Sequence, residues 1–137
     1  MKKNLLILLL LCTALFYSCK KYIQQQEQNA LVNIITNGNW VITRYLQNGA
    51  DITASFSGYV FQFQTNGTVT GINGTINTNG TWSGDITTKT ITSDFPSAGA
   101  PLDNLNAVWK ITDSYVDSVA AMTTTDTSTN ILNMHKQ

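Results

Sequence analysis

Beyond residue 19 the sequence contains no cysteine, and the two it has are Cys12 and Cys19. A disulfide framework across the rest of the chain is therefore excluded. Histidine occurs once, as His135, and arginine once, as Arg44. Nucleophilic catalysis needs a base held against an activated Ser or Cys, and one histidine near the end of the chain offers no convincing triad. Asp113 and Asp117 are the nearest approach to an acid–base pair, and they read as solvated turn residues. Familiar zinc spacings are excluded for the same want of His and Cys. Asp126-x-Ser128-x-Asn130 lacks the Gly and the bidentate Glu of a calcium loop. No catalytic residue, metal or cofactor is expected. Charge is scarce too: leaving out Lys2 and Lys3 from the 8 basic side chains gives 6 against 8 acidic, a formal net charge of −2. Such a balance attracts no nucleic acid.

What is present begins with Lys2-Lys3, an apolar stretch from Leu5 to Phe16, and Ser18 directly before Cys19. The stretch is shorter than the roughly 20 apolar residues of a spanning helix, so cleavage is the better reading. This layout resembles a bacterial lipoprotein signal. It predicts that residues 1–18 are removed and that Cys19 carries lipid. Cys12 leaves with the signal. Acylation gives a reason for an otherwise isolated cysteine, and several acyl chains anchor firmly where one does not. Lys20 after Cys19 resembles lipoproteins sorted to the outer membrane. The expected partner is therefore a membrane.

The 119 residues from Cys19 onward suffice for one domain, and they hold 19 Thr and 13 Asn. That composition favours strands and turns over helices. Residues 19–29 read as a lipidated N-terminus and polar tether, and residues 30–137 as the folded domain. Tyr22, Ile23, Leu31, Ile34 and Ile35 fall mostly at helical spacings, with Asn37-Gly38 as a stop. One short helix is thus predicted to cover an open end of the β structure.

From Trp40 the hydrophobic period becomes two. Eight strands are predicted: 40–46, 58–65, 68–73, 81–85, 89–95, 106–112, 115–122 and 130–135. Of five Asn-Gly dipeptides, those at 66–67, 73–74 and 79–80 read as consecutive hairpin turns. Asn66-Gly67 is the surest of these. Successive hairpins make a meander, and eight antiparallel strands are enough to close an up-and-down barrel around side chains or one small ligand. The fold class is all-β, with one helix before it. Residues 94–101 hold both prolines and read as a loop able to fold over one barrel mouth. The Thr-rich stretch 123–129 reads as a solvated turn.

Gly38-Asn39-Trp40-Val41-Ile42, Phe61-x-Phe63-x-x-Asn66-Gly67-Thr68, Gly80-Thr81-Trp82, Trp109-Lys110-Ile111-Thr112 and Ile131-Leu132-Asn133-Met134 occur in that order. Together they resemble the lipocalin-like domain of small Gram-negative lipoproteins, across residues 30–137. Gly38-x-Trp40 is similar to the first lipocalin motif, whose Trp plugs the closed end of the barrel. Thr112-Asp113-Ser114-Tyr115 partly resembles the second. The arginine that lipocalins place after the last strand, stacked on that Trp, has no counterpart here, since Arg44 is the sole arginine. The resemblance implies a barrel with capacity for a small molecule.

Two functions are left open. Trp40, Tyr59, Phe61, Phe63, Trp82 and Trp109 either line a pocket for a small apolar or amphipathic ligand, or they fill the barrel. A pocket requires that Thr70, Gly71 or Thr81 stand opposite those rings and leave space. In the first case the chain is a lipid-anchored binding module. In the second it is a structural or protein-interaction subunit at the outer membrane.

Overall fold

The computed structural model describes residues 20–124 and 128–137. The expected signal, Cys19 and residues 125–127 of the Thr-rich stretch lie outside them. Among the described residues no helix is long and apolar enough to cross a membrane.

Among the described residues helix α1 covers 20–36, so it already includes most of the expected tether. Nine strands come after it: β1 (Asn39–Gln47), β2 (Ala50–Asp51), β3 (Tyr59–Phe63), β4 (Thr68–Asn73), β5 (Ile76–Asp85), β6 (Thr90–Asp94), β7 (Ala107–Ser114), β8 (Ser118–Thr124) and β9 (Thr129–Lys136). They form one antiparallel meander in the order β2-β1-β3-β4-β5-β6-β7-β8-β9, and β1 also pairs with β9. Eight strands therefore close a barrel, with β2 as an added hairpin arm on β1. The predicted fold class is the observed one.

Closure is uneven. β1 runs along β9 from Trp40–Lys136 to Gln47–Asn130. Against β3 it pairs only through Asn39–Gln62 and Trp40–Phe61. The wall that this leaves open is filled by a 3-10 turn, Thr53–Phe56, whose Phe56 is buried. Asp51 fixes that turn by accepting from the Thr53 amide and hydroxyl at 2.9 and 2.6 Å. Thr53 Oγ1 in turn accepts from the Tyr45 amide at 2.8 Å.

Three turn assignments change. Asn66-Gly67 and Asn73-Gly74 do close hairpins, with Gly67 at φ 84° and Gly74 at φ 60°. Asn79-Gly80 instead lies inside β5, opposite Thr70 and Val69. A Cβ at Gly80 would stand 2.5 Å from the Asp94 carbonyl oxygen and 2.8 Å from Phe95 Cδ1, so the glycine serves a close backbone approach. Asn48-Gly49, both at positive φ, makes the tight turn between β1 and β2 that the eight-strand reading lacked. The β7–β8 turn falls at residues 115–117, not at 113–114 between the predicted strands, because the bulge between Ile111 and Asp113 carries β7 further.

Candidate functional site: the barrel interior

Both ends of the barrel are closed. At one end α1 lies across the rim, with Ile35 buried beneath it. Trp40 donates its indole N–H to the Ile35 carbonyl at 2.9 Å. Gln28 ties the middle of the helix to the β5–β6 turn, donating to Gly84 O at 2.7 Å and accepting from the Ile86 amide at 3.2 Å. Lys136 donates to Ile34 O at 3.0 Å and holds its ammonium 5.1 Å from the Trp40 ring centroid. A lysine within the last strand thus supplies the stacked cation whose arginine form the sequence lacks.

At the opposite end the proline-containing loop runs on past residue 101 and folds into the mouth, one of the placements its length allows. Its 3-10 turn, Leu102–Leu105, buries both leucines. The Tyr45 hydroxyl donates to Asn104 O at 2.6 Å, and Gln47 Nε2 donates to Asn104 Oδ1 at 3.1 Å. Leu105 O accepts from the Trp109 indole at 3.1 Å and from the Ser93 hydroxyl. Asn106 accepts from the Phe95 amide at 2.6 Å, which closes the base of the loop. Burial, with Asp103 nearby, pushes the Tyr45 phenol up to about 12.

Between these plugs lies an apolar void of about 50 Å³. Its walls include Trp40, Phe61, Phe63 and Trp109 from the sequence candidates, and Ser93 is the sole polar residue among those lining it. Tyr59 and Trp82 lie outside the void. Tyr59 stacks on Phe61 at 6.0 Å near the lid and meets Phe56 edge-on at 6.4 Å. Trp82 meets Phe63 edge-on at 5.4 Å and donates to Gln64 O at 2.9 Å. Gly71 does face Phe61, but the space it leaves is taken: a Cβ there would be 3.2 Å from Leu102. Thr81 is exposed and Thr70 bonds to Asn79 at 2.9 Å, so neither hydroxyl enters the void.

Sequence reading missed Tyr45, Phe56, Phe95, Leu102 and Leu105, all buried in the same core. Tyr45 was hidden by a bulge: Ile42 pairs with Met134 and Arg44 with Asn133, so Thr43 is the extra residue. The bulge changes which parity of β1 faces inward, and Tyr45 joins Trp40 and Ile42.

Outside the barrel, a shallow groove of about 200 Å³ runs over Ala120, edged by Asp113, Tyr115, Ser118 and His135. His135 Nε2 lies 3.7 Å from Asp117, and its Nδ1 lies 2.6 Å from Lys136 O. Among the described residues no three His, Cys, Asp or Glu side chains are placed to hold a metal. Asp126 lies outside them.

No protein-family model matches this chain, and no curated protein matches it. A solved structure described as a DUF4847 family protein from Bacteroides vulgatus is similar in fold: the TM-score is 0.57 at 15% identity, covering 78% of this chain and 99% of that one. This likeness in fold and the closed eight-stranded meander are consistent with the expected lipocalin-like barrel architecture.

Proposed function

We propose that the chain is a lipid-anchored lipoprotein of the cell envelope whose lipocalin-like barrel is a filled, rigid module, working through its outer surface. The observation that carries the filled reading is the size of the void. About 50 Å³ is a third of the ~150 Å³ that an apolar cavity needs to take up benzene. The rings use the interior that a fatty ligand would need. The anchored reading is supported by Lys2-Lys3, the apolar stretch and Ser18-Cys19. A non-enzymatic role is supported by the exposed position of the one histidine.

An environment-sensitive fatty probe tests the filled reading. It should show no saturable binding and leave tryptophan emission unchanged. Stoichiometric binding overturns that reading and favours the second one, a carrier of a small apolar molecule. The apolar walls support this alternative, as does closure of the mouth by a loop whose Leu102 and Leu105 would enlarge the chamber on swinging out. For the anchor, Cys19→Ser should move the protein from the membrane to the soluble fraction. An unchanged membrane fraction and unchanged processed mass would refute lipidation.

A further inference from the structure

We infer that the end of the barrel covered by α1 is a docking face for an anionic lipid surface, on which the β7–β8 turn and residues 20–27 of the helix lie. The inference rests on the anchored reading above and adds an orientation to it. Six large apolar side chains are conspicuously exposed among the described residues, and four of them, Tyr22, Ile23, Tyr115 and Val116, belong to this end. Tyr115 is 66% and Val116 70% exposed in that turn, with Tyr115 also edging the groove over Ala120. Tyrosine beside aliphatic residues suits the boundary between headgroups and acyl chains, where an apolar ring and a polar hydroxyl are both satisfied.

The helix points the same way. Residues 20–27 are all exposed and continue past Gln28, which is tied to the rim. At 1.5 Å per residue they reach about 12 Å beyond that bond. Cys19 precedes the first of them, so its acyl chains would start from this end of the molecule.

Charge divides along the barrel axis. Lys20, Lys21, Lys89 and Lys136 lie at the helix end, and Lys110 pairs with Thr90, the first residue of β6. At the lid end the described acids Asp51, Asp94 and Asp103 stand against one cation, Arg44, whose charge reaches Asp51. The helix end also carries four acids, Glu27, Asp85, Asp113 and Asp117, so its five lysines leave it at a formal net charge of +1. Asp85 accepts from the Thr87 and Thr88 amides, Asp113 from the Ser114 amide, and Asp117 faces His135. An anionic surface is thus favoured at the helix end over the lid end, whose described charges sum to −2.

The test uses mature protein purified from cell membranes and reconstituted in phosphatidylcholine vesicles with phosphatidylglycerol. Val116→Cys and, as the opposite-end reference, Ile76→Cys carry an environment-sensitive fluorophore. A blue-shifted Val116 label quenched by shallow lipid nitroxides, beside an unshifted Ile76 label, is the expected result. Floating protein with both labels in water, or both in lipid, overturns the docking face and leaves the anchor intact. Labelling at two sites per chain shows Cys19 free and refutes the anchor; the docking face then stands if the Val116 label is still buried and falls if the protein does not float.

Discussion

Lys136 holds its ammonium over the Trp40 ring while its stem crosses Gly38, where a Cβ would come within 3.0 Å of Lys136 Cδ. One side chain therefore joins the last strand, the first strand and the helix C-terminus. Lys136→Met keeps the stem and removes the charge. It should cost about 1–2 kcal/mol through the lost cation–π contact and the lost bond to Ile34 O, read as a lower urea midpoint at unchanged slope.

Gly80 and Gly67 separate two reasons for needing glycine. Gly80→Ala drives a methyl into the Asp94 carbonyl and should cost ~3 kcal/mol, the upper range for overpacking. Gly67→Ala meets only the cost of its positive φ, ~1 kcal/mol. Gly99→Ala, with open space and no positive φ, should be silent. Thermal denaturation of the three variants checks the order.

The strand positions were legible because alternation survives wherever strands pair without interruption. Tyr59, Phe61 and Phe63 show it plainly. Legibility failed where tertiary contact overrides a local signal. Asn79-Gly80 has the composition of a turn, yet its glycine is set by Phe95 lying across it, a contact made through a distant loop. Tyr45 lost its phase at the Thr43 bulge. The cation on Trp40 escaped notice because an arginine after the last strand was sought, whereas a lysine inside that strand reaches the ring. The length of the 94–101 loop allowed a lid, but nothing local marked Leu102 and Leu105, just beyond it, as the residues that enter the mouth.

Tyr45 makes alkaline stability a reporter of the lid. Its phenol is raised from 10.0 to about 12, so the folded state binds the proton more tightly than the unfolded chain. That contribution is whole below pH 10 and is lost as pH rises to about 12. Ultraviolet titration should show one tyrosine ionising late. Tyr45→Phe should remove that step and flatten the fall in stability between those limits.

Phe61→Ala should cost about 3–5 kcal/mol, because the ring is buried and the plugs at both ends limit collapse around it. The enlarged void should then take up a small apolar guest such as xenon or benzene, which raises the melting temperature of the variant and leaves the parent unchanged. A variant that loses little stability would mean that the interior is loosely filled.

The short β1–β3 seam sets where the molecule breathes. With Asn39–Gln62 and Trp40–Phe61 as its ladder and Phe56 as a latch beside it, this line in the wall offers the least resistance to parting. Local opening there turns a cylinder into a curled sheet without disturbing the long β1–β9 pairing. Amide protons on the facing edges of β1 and β3 belong to the least protected class of the barrel. Those shared by β8 and β9 report the unfolding of the whole.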